Sequence, residues 1–322
     1  MLYLSESDCK QMSIDWNETI SVIEQSVYCI EKEDYAQPIK PYLRYGKNEN
    51  RIIAMPAFVG KPFNQSGIKW IASFPNNLSK DIPRAHSTII LNNAETGQPV
   101  SVINGAFLSI VRTASVSGLL IKKYIETRNK SNIKVGILGF GPIGKNHLKM
   151  CKSVLGDRLD KVYLYDIRGI DKQDLDSFDD IDIEIANSWE DVYLNSDIFL
   201  TCTVSKDRYI NKQAKPGSLL LNVSLRDYQS DAIDINKDLI IVDDWDEVAR
   251  ENTDIEKLKD IKGLKQEDCK TLVDVVRHNC LEEYESNKTI MFNPMGMSVF
   301  DIAIASHYYN KAIEESIGVV LQ

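Results

Sequence analysis

The chain has 322 residues, enough for two domains and for a large core without disulfide or metal staples. Its 43% hydrophobic and 26% charged residues are ordinary for a globular protein, and a net charge of −9 argues against a nucleic-acid surface. The six cysteines and four histidines form neither a C-x-x-C pair nor a zinc spacing, so reduced thiols and no metal site are expected.

The start, MLYLSESDCKQM, reads as a short strand and a helix start with Ser5 or Ser7 as cap. It lacks a basic region followed by an apolar stretch, and no apolar run approaches the length of a membrane span. The cytoplasm is therefore the expected location, with no membrane partner. Apolar residues at helical spacing, Trp16, Ile20, Ile23, Val27 and Ile30, predict a helix. Short extended segments follow at 40–44, 51–56, 66–73 and 87–91, separated by Gly, Pro and Asn turns as in a mixed or antiparallel sheet. NNAETGQPVSVING reads as a hairpin, 109–124 as an amphipathic helix and 126–132 as a linker.

Beyond it, strands alternate with helices, the pattern of a parallel sheet. Strands are expected at 133–139, 161–166, 183–186, 198–203 and 218–223, with 239–243 closing the series, and a helix at 142–155. Residues 247–285 read as charged surface helix, and the chain ends in a strand, a glycine turn and a long helix.

VGILGFGPIGKNHL places Gly139, Gly141 and Gly144 in G-x-G-x-x-G spacing between a strand and a helix. Such glycines permit a tight turn, let a pyrophosphate approach the backbone and let helix and strand pack closely, with the helix N-terminus facing the phosphates. Asp166 ends the next strand about 20 residues on, where a carboxylate accepts the ribose hydroxyls of NAD and repels the 2′-phosphate of NADP. A flavodoxin-like domain with an incidental glycine turn is the alternative. Thr203, and the segment from Asn222 to Leu225 with Ser224, end later strands at the edge where such ligands lie.

Asp227 follows that edge and suits a general base toward an amine or water, although a helix cap or turn residue in RDYQSD is the reading that the sequence alone favours. Arg44, Lys69 and Arg112 stand in apolar or extended contexts; each alone can be an outward-pointing charge, while together they suggest a carboxylate clamp.

Arg112-Thr113-Ala114-Ser115 and Glu95-Thr96-Gly97-Gln98-Pro99 resemble the hallmark helix and hairpin of the ornithine cyclodeaminase and mu-crystallin family, over essentially the whole chain. QPIKPYLR, RIIAMP, SGIKWIAS, RAHSTIILN, TCTV, VDDW and FNPMGM resemble its 2,3-diaminopropionate branch, the N-(2-amino-2-carboxyethyl)-L-glutamate dehydrogenases of siderophore pathways. The resemblance implies an α/β protein: a Rossmann dinucleotide-binding domain at 126–292, and an α/β substrate-binding and dimerisation domain at 1–125 and 293–322. It implies that Arg44, Met55, Lys69 and Arg112 line the substrate pocket, with Met295 near the nicotinamide. Thr113, Pro142, Ile143, Asp166, Thr203 and Ser224, with Leu225 beside them, would contact NAD. Asp227 would be the acid/base, with Lys69 as catalytic partner. Arg84 and Lys40 are further cations in branch-shared segments, Lys40 alone reading better as a solvated surface charge. The implied function is oxidation of an amino-acid conjugate by a homodimer; ornithine cyclodeamination, ketimine reduction and noncatalytic small-molecule binding are the alternatives. One departure is that the G-G-D run of cyclodeaminases is here Leu225-Arg226-Asp227.

Overall fold

The computed structural model describes residues 1–46 and 49–322. The chain divides into two compact units, Met1–Ser115 with Gly296–Gln322, and Val116–Met295. The division therefore falls inside the helix Gly105–Arg128, ahead of the 125/126 boundary expected from sequence.

The first unit is built on an eight-stranded sheet. Along its main path Val319–Val320 is followed by Leu2–Leu4, Pro99–Asn104, Ala85–Asn93, Gln65–Ser73, Arg51–Val59 and Tyr35–Ala36. Every pairing is antiparallel except that of Leu2–Leu4 with Pro99–Asn104. The two-residue period appears in burial: Met55, Ala57 and Val59 face inward, while Trp70 on the opposite face is 44% exposed. Helix Ser298–Glu314 packs on the three central strands and against helix Trp16–Glu31, whose Trp16, Ile20, Ile23 and Val27 are buried at the expected spacing. Ser5 caps the first helix in a reciprocal capping box with Asp8. The strand expected over 40–44 shrinks to Tyr42–Leu43, since Pro41 has no N–H to donate to a ladder.

The second unit holds an eight-stranded, fully parallel sheet, ordered Ile183–Ile185, Leu159–Tyr165, Ile133–Leu138, Ile198–Thr201, Leu219–Leu221, Ile290–Asn293, Leu239–Val242, Lys270–Thr271. The order reverses between Ile133–Leu138 and Ile198–Thr201, where open α/β sheets bind ligands. Leu239–Val242 does not close this series. Ile290–Asn293, buried along its whole length, inserts between it and Leu219–Leu221, as suits an apolar run covered on both faces.

Three other expectations change. The first three residues of the 126–132 linker are helix, because Gly105–Arg128 continues until Asn129, in the left-handed region, ends it, and Arg128 Nη1 ties its last turn to the Tyr284 carbonyl. That helix also carries an 18-residue window apolar enough to cross a membrane, contrary to the reading of the sequence; 67% of the window is buried in the protein, as befits a core helix. The 247–285 stretch is no uniform surface helix: it breaks into Asp254–Lys262, the edge strand Lys270–Thr271 and Leu272–Arg277, and buries Glu247 and Asp254.

Candidate functional site

In the second unit the glycine loop leaves strand Ile133–Leu138 at the point of reversal. Gly139 has φ +85°, and a Cβ there would stand 2.6 Å from the Cys202 carbonyl oxygen. At Gly144 a Cβ would lie 2.1 Å from the Gly139 oxygen, so helix and loop touch backbone to backbone. Gly141, the N-cap, faces open space: a methyl there would meet only Arg168 Nη2, at 3.9 Å. Pro142 opens helix Pro142–Leu155, and the amides of Ile143 and Gly144 fall in the first turn, which a helix leaves without internal acceptors. This is an anion cradle, with the shape a dinucleotide pyrophosphate requires.

Asp166 follows strand Leu159–Tyr165 and leans over the loop. Its carboxylate accepts the Phe140 amide at 2.9 Å and the Arg168 amide at 3.0 Å. Arg168 also donates Nε at 3.1 Å and Nη2 at 3.0 Å. Burial alone pushes this carboxyl up, but the Arg168 and Phe140 bonds outweigh it and hold it below the usual range, an anion at neutral pH.

The same sheet edge carries the candidate acid/base. Asp227 is fully buried. Thr203 Oγ1 donates to it at 2.6 Å, and Ser224 donates to its other oxygen. Burial pushes the Asp227 carboxyl up to about 6, helped by the neighbouring Asp254 and opposed by the Thr203 bond. Asp254 lies beneath: its carboxylate accepts the amides of Asp227 and Tyr228, Asn222 Nδ2 and Arg208 Nε. Thus Thr203 and Ser224, expected at the cofactor, hold the acid's carboxylate here. Leu225, expected beside the cofactor, has its side chain buried in the core, its amide donating to Asn222 Oδ1 and its carbonyl accepting from the Asp254 amide, so these groups hold the strand end. It adopts φ +66°, the region that favours the glycine of a G-G-D run.

In the first unit Lys69, 1% exposed, stands opposite Met55 on the adjacent strand. Its Nζ meets Asp301 Oδ1 at 2.7 Å, and Arg112 Nε donates to the same oxygen at 2.9 Å. Lys40 is also buried and donates to the Gly296 carbonyl at 2.9 Å, so it is no solvated surface charge. Gly296 has φ +88°, and a Cβ there would stand 2.8 Å from Arg112 Nη1, so the glycine of FNPMGM seats the guanidinium. Burial drives the Lys69 amine down to about 8; Asp301 opposes this, while Arg112 and Lys40 reinforce it. Burial raises the Asp301 carboxyl, but Arg112 and Lys69 outweigh it and keep it below its usual range. Lys69 and Arg112 together exceed Asp301 by one positive charge, in surroundings that water does not screen, a pairing suited to a carboxylate guest.

The remaining expected residues lie outside these two groups. Arg44 is exposed and stacks on Tyr42, 5.3 Å from the ring centre. Arg84 is half-buried near Arg51. Thr113 Oγ1 donates within its own helix to Ser109. The Met295 amide donates to Asp243 Oδ1, and its side chain packs on the second unit's core. Asp301 and Asp254 were missed from sequence. Each stands in the first turn of its helix, where an acid reads as a cap, and the cations they meet lie far off in the chain.

The sequence matches the ornithine cyclodeaminase/mu-crystallin family over residues 6–316. It is 30% identical to N-((2S)-2-amino-2-carboxyethyl)-L-glutamate dehydrogenase of Staphylococcus aureus, covering 100% of this chain and 98% of that one. The fold superposes on Thermococcus litoralis Δ1-pyrroline-2-carboxylate reductase, solved with NADH and L-proline, with a TM-score of 0.86, 22% identity and full coverage of both chains. An archaeal alanine dehydrogenase dimer with bound NAD gives 0.82 at 21% identity, covering 100% of this chain and 99% of the other.

Proposed function

The chain belongs to the ornithine cyclodeaminase/mu-crystallin family, and we propose that it is an NAD-dependent dehydrogenase acting at a CH–NH bond of N-(2-amino-2-carboxyethyl)-L-glutamate. The observation that carries this is a buried carboxyl, Asp227, raised to about 6 in the unit that holds the dinucleotide cradle. A base of that strength takes a proton from an ammonium or a water near neutral pH and returns it later. NAD bound in the cradle would supply the hydride acceptor for oxidation at the glutamate Cα. Gly141 leaves room for the pyrophosphate, and the Asp166 anion suits ribose hydroxyls and repels a 2′-phosphate. Lys69 and Arg112 hold a substrate carboxylate, with Asp301 fixing their geometry.

Loss of a hydride from Cα and a proton from nitrogen leaves an imine; water adds to its carbon, and the C–N bond breaks. The products are 2-oxoglutarate, 2,3-diaminopropionate and NADH. The full-length likeness to the Staphylococcus aureus dehydrogenase supports this substrate over ornithine, as does the number of buried cations, since the conjugate carries three carboxylates and ornithine one. We also infer a homodimer, as in the archaeal alanine dehydrogenase. The test is incubation with NAD and the conjugate, following absorbance and identifying products by mass. Stoichiometric NADH and 2,3-diaminopropionate are expected; proline and ammonia from ornithine, with no reaction of the conjugate, overturn the substrate assignment.

A further inference from the structure

The first unit's sheet carries a second group of cations. Arg51 begins strand Arg51–Val59, four residues before Met55, so it shares a face with Met55 and with that residue's cross-strand partner Lys69. The separation along the strand is about 13 Å at the usual rise per residue. Tyr42 pairs with Ile53 and so lies on the same face; the Arg51 and Arg44 guanidinium groups stand 5.7 Å and 5.3 Å from its ring centre. Arg84 precedes strand Ala85–Asn93, whose first residue is the cross-strand partner of Ser73, itself paired with Arg51. Burial and the Arg51 charge both press the Arg84 guanidinium below its ordinary strength, so the two lie within electrostatic reach.

Among the described residues neither Arg51 nor Arg84 forms an ion pair, and Arg51 Nε is buried without a hydrogen-bond partner. Two like charges brought together out of water repel, and a buried donor left unmet costs further free energy. A single anion between them reverses both effects, because guanidinium forks match a carboxylate.

We infer that Arg51, with Arg84 and Arg44, forms a second anion subsite that receives the distal carboxylate of a substrate whose first carboxylate is held by Lys69 and Arg112. This rests on the amino-acid dehydrogenase reading above and deepens it: the site selects substrates with at least two carboxylates set apart along a chain. Arg51 becomes the specificity-determining residue, separate from the acid Asp227.

Binding of 2-oxoglutarate and pyruvate to the NADH-bound protein tests it without turnover, since these 2-oxo acids differ by a CH2–COO⁻ arm. The intact protein is expected to bind 2-oxoglutarate about ten- to a hundredfold more tightly, the range for one charge-assisted hydrogen bond. Arg51→Gln and Arg84→Gln should erase that preference and leave pyruvate binding and the unfolding midpoint unchanged, with Arg51→Lys recovering part of it. Equal binding of both acids by the intact protein, or a preference that survives both substitutions, overturns the subsite. Neither result depends on whether the conjugate is oxidised, so the failure of the subsite and of the proposed reaction are distinguishable.

Discussion

At the scale of single residues, two buried groups are poised on either side of neutrality. Asp227, raised to about 6, can serve as the proposed base only when ionised, so activity should rise with pH through that value. Lys69, lowered to about 8, can hold the proposed carboxylate only when protonated, so affinity should fall as pH climbs past it. The expected kcat/KM profile is therefore a bell with limbs near 6 and 8. Lys69→Arg keeps its charge at any working pH and should shift the alkaline limb upward; a profile flat from about pH 5 to 9 would contradict both roles. Asp227→Asn keeps the shape and removes the basicity, so turnover should fall about 10²- to 10⁴-fold while NADH binding, read by fluorescence, survives. Asp301→Asn leaves Lys69 and Arg112 buried without their counter-charge. Breaking a buried pair from one side costs about 3–5 kcal/mol, which urea unfolding should register.

At the scale of elements, the glycine loop separates two roles that its spacing joins. Gly144→Ala drives a methyl into the Gly139 carbonyl and forces helix and loop apart, a strain of about 1–3 kcal/mol, so both stability and NADH binding should drop. Gly141→Ala meets nothing nearer than Arg168 Nη2 at 3.9 Å, so the unfolding midpoint should hold while NADH affinity falls, because the new methyl stands where the pyrophosphate approaches. Matching losses of stability in the two variants would mean that Gly141 serves packing alone. The strand Leu219–Leu221 shows the converse case. Leu225, just beyond it, takes a backbone conformation that favours glycine, and burial of its side chain offsets the strain. A departure from the G-G-D pattern therefore keeps the turn that delivers Asp227.

At the scale of the whole molecule, the outer face of the first unit's sheet bears on assembly. Trp70 alternates with Lys69 and is 44% exposed on the face away from the cation cluster. The proposed homodimer should give twice the chain mass in light scattering. Trp70→Glu tests whether this exposed face takes part in the contact: a lower mass at dilute concentration assigns it there, and an unchanged mass assigns the contact elsewhere. A monomer at every concentration would remove the dimer from the proposal.

The sequence by itself determined the elements whose signal is local. The alternation of strands and helices after residue 132, the G-x-G-x-x-G turn, the acid at 166 and the extended segments at 51–56 and 66–73 each lie within a short window. It also marked Lys69 and Arg112, because a charge amid apolar neighbours stands out, and Asp227, because it follows a strand at the edge where ligands lie. What only the tertiary structure decided was how those charges are met. Asp301 reaches Arg112 across 189 positions, and its helix packs on the strand that carries Lys69, still further off in the chain, so no short-range pattern carries that pairing. Lys40 reads as a surface charge until the chain returns and sets the Gly296 carbonyl against it. Ile290–Asn293 reads as the last strand until parallel pairing, which needs no nearness in sequence, inserts it mid-sheet. The polarity of a residue is written at its own position, whereas its burial, its partner and hence its proton affinity come from chain that folds back from far away.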